Sequence, residues 1–178
     1  MKRTLFPGYS VGTDAYEDIK EICPAYGKKA AIIGGKHALA AAQDKIIAAA
    51  KEAGIEIIGS FWYGGEASVE NIEMLKPKVA DADRIFAVGG GKAIDTCKVL
   101  SHSTDRPFFT FPTIASTCAS CTSLGILYHP DGSLREYSFS KIPPKHIFID
   151  TQIIAGAPDK YLWAGIGDTM AKHHECTV

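Results

Sequence analysis

Three groups of residues in this sequence have the types and spacing to do chemistry. The first is Phe86-Ala-Val-Gly-Gly-Gly-Lys-Ala-Ile-Asp95, an apolar run that breaks into glycines 89–91 and then into a helical pattern. A strand that feeds glycines into a helix start is suited to an anion. Glycine lets the backbone approach an oxygen-rich group, and the first N–H groups of the helix have no partner within it. The expected guest is a phosphate or pyrophosphate. Ala93 follows Gly-Lys where a P-loop needs Ser or Thr for its metal, which argues against a kinase or ATPase. The spacing is not that of G-x-G-x-x-G either.

The second group, Cys118-Ala-Ser-Cys121, has the spacing of a zinc or thiol-redox pair. A structural zinc needs four ligands, and no second Cys/His pair follows at a suitable distance, so two small packing residues are expected here. The third is Asp168 in Gly165-Ile-Gly-Asp-Thr169, whose local sequence reads as the N-cap of a helix. His173 and His174 stand five and six positions beyond it. That is outside the three- or four-residue spacing that would put them on its face of a helix.

The elements that must position these groups alternate along the chain. Lys29–Gly35 reads as a buried strand, followed by a helix with Leu39, Ile46, Ile47 and Ala50 on one face and Gly54 as its stop. Ile55–Phe61 is a second strand. A helix over 68–79 is capped by Ser68 and carries Val69, Ile72 and Leu75. The strand Arg84–Val88 leads through the glycines into a helix reaching Leu100, and Phe108–Phe111 is a further strand. Such alternation predicts an α/β fold, a parallel sheet with helices on both faces, and a ligand at the carboxyl ends of the strands, where Gly34, Gly89 and Thr113 lie. Beyond Thr113, Leu124–Tyr128 and Leu134–Phe139 flank Asp131-Gly132 as a β-hairpin; Lys145–Asp150 is another strand, and a helix starts at Pro158. There is no internal repeat or low-complexity linker.

Bulk properties narrow the function classes. A chain of 178 residues with 46% hydrophobic and 22% charged content fits one well-buried globular domain. A net charge of -1 offers no electrostatic footprint for nucleic acid, and no basic run faces a membrane surface. The apolar stretches fall far short of the roughly 20 residues a membrane span needs. The N-terminus lacks the apolar core of a signal peptide, and five scattered cysteines read as reduced thiols in a cytoplasm.

Taken together, Gly89–Thr96, Pro112–Thr117 and Gly165–Thr169 resemble the metal-dependent (group III, iron-containing) alcohol dehydrogenases, most nearly the glycerol dehydrogenase branch, from about residue 5 onward. The resemblance implies a Rossmann-like domain over 1–160, with 161–178 as the start of a helical domain. It also implies NAD or NADP as cofactor, a divalent metal (zinc or iron), a small-molecule substrate and a homo-oligomer. By position, Gly89, Gly90, Gly91 and Lys92 fall at the cofactor pyrophosphate, with Asp95 in the cofactor-binding set. Thr113, Ser116, Thr122, Leu124 and Tyr128 line the nicotinamide half. Asp168 becomes the first metal ligand, displacing the N-cap reading. In the family such a metal acts as a Lewis acid on the alcohol or carbonyl oxygen while hydride moves to or from the nicotinamide.

Three departures qualify the resemblance. The family's two histidine ligands lie in the helical domain, and His173 and His174 do not match them. The chain alone is therefore expected to lack that domain and to bind without reacting. Cys118 stands where glycerol dehydrogenases carry an aspartate that contacts the polyol. The Thr-Cys-Ala pattern is similar to the hydroxycarboxylate dehydrogenases, which puts a 2-oxo or 2-hydroxy acid ahead of glycerol. Gly35 stands where NAD-preferring relatives place an aspartate on the ribose 2′-hydroxyl. With Lys36 beside it, NADP is expected ahead of NAD. Glycerol dehydrogenase proper, a dehydroquinate synthase-like lyase and a non-catalytic nucleotide-binding module are the alternatives.

Overall fold

Apolar residues run unbroken through Ala30–Ile33 and Ile85–Val88, the pattern of strands buried on both faces. In the computed structural model, which describes residues 6–140 and 142–177, these runs form the centre of an all-parallel six-stranded sheet. Residues 1–5, part of the N-terminus that lacks the apolar core of a signal peptide, lie outside the described residues. The strands are β1 (Gly8–Gly12), β2 (Lys29–Gly34), β3 (Glu56–Trp62), β4 (Arg84–Gly89), β5 (Phe108–Pro112) and, after the hairpin β6 (Leu124–Tyr128) and β7 (Leu134–Phe139), β8 (His146–Asp150). Their spatial order is β1-β8-β5-β4-β2-β3. The expected Rossmann-like architecture, with helices on both faces and an antiparallel hairpin, is what the chain forms.

Strand alternation sorts the core into two layers. Ile32, Phe86, Phe109, Phe111 and Phe148 pack on one face with α1 (Ile19–Ile22) and α2 (Lys36–Glu52). Ile33, Ile85 and Phe108 pack on the other with α3 (Val69–Leu75) and α4 (Gly91–Thr104). On α2 the buried stripe is Leu39, Ala42, Ile46 and Ala50, and Ile47 is 38% exposed. One residue advances a helix by about 100°, so Ile47 turns off the face that Ile46 occupies. Gly54, at φ +68°, follows the helix end as expected of a left-handed stop.

Helix α3 is shorter than the periodic pattern, giving way to a 3-10 turn over Lys76–Val79. Its cap is as expected: Ser68 Oγ accepts from Asn71 N at 3.3 Å. Ser68→Ala should lower stability by about 1 kcal/mol, read as a shift in the urea midpoint. An unchanged midpoint would show that this cap contributes nothing.

Two regions escape local pattern. Strand β1 is a short edge strand whose Tyr9 and Val11 face outward, and it pairs with β8 far along the chain. Residues 15–26 form α1 flanked by two 3-10 turns, and the buried Arg84 guanidinium donates to the carbonyls of Cys23 and Gly27, holding that segment to the sheet.

Asp168 does not open a helix. It lies in the middle of α6 (Asp159–Thr177), which follows α5 (Thr151–Ala155). The glycines at 165 and 167, which read as a loop, continue the helix instead. Gly165 is needed there because a Cβ would collide with the Ala115 carbonyl oxygen: α6 crosses the 113–117 loop backbone to backbone. No helix among the described residues is long and apolar enough to cross a membrane.

Candidate functional site

Strand order reverses around β2 and β4: β3 continues to one side of β2, and β4, β5 and β8 to the other. In an open parallel sheet that reversal leaves a crevice beyond the carboxyl ends of the strands. Two glycine turns border it, Gly34-Gly35 after β2 and Gly89–Gly91 after β4. Gly89 has φ +139°, a conformation side-chain-bearing residues rarely adopt. A Cβ there would lie 3.3 Å from Ala93 Cβ and 3.5 Å from Ala38 Cβ, so the first turns of α2 and α4 meet across it.

The capping chemistry separates these two helices from others in the fold. Ser68 caps α3, and Asp150 caps α5 by accepting from Gln152 N and Ile153 N. Helices α2 and α4 begin after Gly35 and Gly90, and neither has a side-chain cap. The first-turn residues of both helices line the crevice, and each helix adds about half a positive charge at that end.

The crevice is a cavity of about 790 Å³. Among the residues expected from sequence, Gly35, Lys36, Gly89, Gly90, Gly91, Lys92 and Thr113 line it. The Lys36 ammonium sits 4.8 Å over the Trp62 ring. The Lys92 ammonium donates to Glu66 Oε2 at 2.6 Å, and that carboxylate holds Lys92 above the usual lysine range. Burial raises the neighbouring Tyr63 phenol, with Lys92 pulling it back. A cavity of this size, with cationic side chains and two open helix starts, suits a ligand carrying adjacent phosphates.

The other expected residues lie elsewhere. Asp95 turns away from the cavity: its carboxylate accepts from Lys98 Nζ at 2.9 Å and from Ile126 N at 3.3 Å. Burial pushes that carboxyl up, and the Lys98 ammonium opposes the shift. Lys98 also donates to Thr122 Oγ1 at 3.1 Å and to the Leu124 carbonyl at 2.7 Å. Asp95, Thr122 and Leu124 are thus joined by one buried ion pair that fastens the hairpin to α4. Tyr128, Ser116 and Cys118 are not among the residues that line the cavity. The Tyr128 ring is 6.0 Å from Lys92 Nζ, Ser116 lies beneath α6, and Cys118 opens a 3-10 turn over Cys118–Ser120. Cys118 is exposed and Cys121 half-buried, so neither is the packing residue expected from sequence.

Local sequence reasoning passed over one wall of the cavity. Trp62 and Tyr63, at the end of β3 and just beyond it, line the cavity together with Ile153 of α5, Pro158 and Tyr161 of α6. An aromatic pair at the carboxyl end of a parallel strand was the available signal.

The iron-containing alcohol dehydrogenase pattern matches residues 7–151. The chain belongs to the iron-containing alcohol dehydrogenase family. It is 35% identical over 172 residues to a glycerol dehydrogenase of Escherichia coli O6:H1, covering 95% of this chain and 47% of that one. It is 38% identical over 152 residues to hydroxycarboxylate dehydrogenase A of Escherichia coli K12, covering 84% of this chain and 41% of that protein. The crystal structure of glycerol dehydrogenase from Schizosaccharomyces pombe superposes with a TM-score of 0.86 at 32% identity, covering 96% of this chain and 44% of that one. The chain therefore spans about half the length of the curated relatives it matches and sits in the glycerol-dehydrogenase-like branch of the iron-containing alcohol dehydrogenases.

This family implies a divalent metal, and the described residues do not by themselves make a place for one. No group of three or more His, Cys, Asp or Glu side chains suited to a metal ion is assembled among them. Asp168 lies on α6 with its carboxylate partly exposed and 3.9 Å from the Lys172 ammonium on the same helix.

Proposed function

We propose that this chain is the dinucleotide-binding half of an NAD(P)-dependent dehydrogenase of small polyols. The observation that carries the reading is the convergence of two helix starts without side-chain caps, at Gly35 and Gly89–Gly91, on one cavity of about 790 Å³. The backbone N–H groups of those two turns hold the pyrophosphate, and the glycines admit it closely. Lys92 lines the same end, its ammonium bound to Glu66. Thr113 offers a hydroxyl beside the triplet, and Trp62 and Tyr63 supply a flat apolar wall. The bound cofactor supplies the hydride chemistry. Turnover is assigned to a longer polypeptide that contributes the remaining metal ligands, with Asp168 as the ligand this chain supplies.

A polyol substrate is favoured by the likeness to glycerol dehydrogenases, in place of the 2-oxo or 2-hydroxy acid expected from Cys118 and the Thr-Cys-Ala pattern. One observation keeps the hydroxy acid as a second reading. Cys118 brings no negative charge to the position where an aspartate would repel a carboxylate, and hydroxycarboxylate dehydrogenase A is also among the relatives. Comparing kcat/KM for glycerol and for a 2-hydroxy acid in the full-length enzyme separates the two readings.

Gly35 presents no carboxylate at the end of β2, and Lys36 stands beside it, which supports NADP. Titrating the chain with NADPH and NADH, followed by tryptophan fluorescence, should show NADPH bound about tenfold more tightly, ~1.4 kcal/mol. A clear NADH preference would overturn the argument from Gly35. Binding of neither would overturn the dinucleotide reading itself.

A further inference from the structure

The short turn beside α4 carries two thiols at one end of a hydrogen-bonded loop. Cys121 N donates to the Cys118 carbonyl at 3.1 Å, closing a four-residue turn. The end Cα atoms of such a turn lie within about 7 Å, overlapping the ~4.4–6.8 Å that a disulfide bridges. Cys121 Sγ itself lies 3.1 Å from the Cys118 carbonyl oxygen, so this thiol already sits over the start of the turn. The turn is held by groups other than the thiols. Thr117 Oγ1 accepts from Ala119 N at 3.2 Å, and Thr110 Oγ1 donates to the Ser120 carbonyl at 2.9 Å.

Accessibility gives the pair an order of reaction. Cys118 is exposed and Cys121 is half-buried; burial and the neighbouring Cys118 push the Cys121 thiol up while Lys98 opposes the shift, so Cys118 attacks first and Cys121 second. Cys23 and Cys97 are buried in the core, and burial pushes the Cys23 thiol up to about 12. We propose that Cys118 and Cys121 form a reversible dithiol–disulfide site whose reaction partner is a low-molecular-weight disulfide. The Cys118 thiolate attacks one sulfur of the incoming disulfide, forming a mixed disulfide and releasing one thiolate. The Cys121 thiolate then attacks the Cys118 sulfur, forming the Cys118–Cys121 bond and releasing the second thiolate. Each cysteine loses one proton and each released thiolate gains one. The protein is oxidised by two electrons and the small disulfide is reduced to two thiols. A thiol in excess reverses both steps.

The bridge forms against the candidate anion site. A Cβ on Gly91 would have Thr117 Oγ1 at 3.5 Å and Ala119 Cβ at 3.8 Å as its nearest neighbours, and these two residues flank Cys118. The proposal stands on the turn and its thiols and does not depend on which ligand the cavity takes.

Peptide mapping tests it. The native protein is incubated with oxidised glutathione, free thiols are blocked with N-ethylmaleimide, and trypsin is added. Residues 99–135 form one tryptic peptide, because Pro107 protects Arg106, and Cys118 and Cys121 are its cysteines. This peptide should appear two hydrogens lighter and unlabelled, and dithiothreitol should restore both of its thiols. A Cys176→Ser background removes exchange between chains. Cys121→Ser should stall as a glutathione adduct on Cys118, and circular dichroism verifies that the variant is folded. A wild-type peptide that keeps two labelled thiols, or that retains a lasting glutathione adduct on Cys118, would overturn the proposal.

Discussion

Lys98→Met is expected to destabilise the protein by about 3–5 kcal/mol, a large part of the ~5–15 kcal/mol that holds a domain of this kind together. The Lys98 side chain is 0% exposed, and its three ammonium protons go to Asp95, Thr122 and the Leu124 carbonyl. Methionine keeps most of the stem and removes the charge. The Asp95 carboxylate, 11% exposed, is then left with the Ile126 N–H as its partner. Breaking a buried pair on one side costs more than removing both charges, because the remaining ion is stranded in a weakly polar interior. Asp95→Asn combined with Lys98→Met should therefore recover much of the loss. Urea denaturation reads the free energy, and hydrogen exchange at the Ile126 amide reports whether the hairpin loosens. A Lys98→Met cost below about 1 kcal/mol would show that the pair does not anchor the hairpin.

Gly91→Asp should weaken dinucleotide binding by about 10- to 100-fold while leaving the fold intact. Two unit charges ~4 Å apart interact by about 4 kcal/mol at the effective dielectric near a protein surface, and solvent reduces this at an open cavity. The fold is spared for two reasons. A Cβ on Gly91 meets its nearest neighbours at 3.5 and 3.8 Å, which is ordinary contact. A carboxylate in the first turn of α4 also favours the helix, by about 0.3–1 kcal/mol. Gly91→Asn keeps the shape without the charge and should retain most of the affinity. Calorimetric titration with NADPH distinguishes the two variants. Unchanged affinity in Gly91→Asp would place the phosphates elsewhere.

Local sequence already carried the frame of the site. The break from β4 into Gly89–Gly91 and then α4 is written in consecutive residues, as is the cap of α3 at Ser68. Both features depend only on neighbours a few positions apart. The same holds for the alternation that made β2 and β4 central strands, and for the hairpin around Asp131-Gly132. Seven of the expected site residues line the cavity for that reason: Gly35, Lys36, the triplet, Lys92 and Thr113 all stand at the carboxyl ends of strands or at the helix starts that follow them.

Asp95 shows where that kind of inference stops. Periodicity places it on α4 one turn beyond the glycines, but the β6 backbone and Lys98 decide where its carboxylate goes. Cys118 and Cys121 are small residues whose exposure depends on how the 113–121 segment sits between α4 and α6. The glycines at 165 and 167 read as a loop because glycine disfavours helix, yet Gly165 serves a helix that must cross the Ala115 carbonyl closely.

By itself, the sequence determined an α/β chain with parallel strands and the glycine break after β4, because each is encoded in short-range spacing, while three motifs spread over residues 89–169 carried the resemblance to a dehydrogenase family. The tertiary structure decided which polar groups line the cavity and which pair with one another, and it brought Trp62 and Tyr63 into the same cavity lining as Pro158 and Tyr161. Those outcomes depend on residues far apart in the chain. A buried charge takes the partner that packing brings within reach.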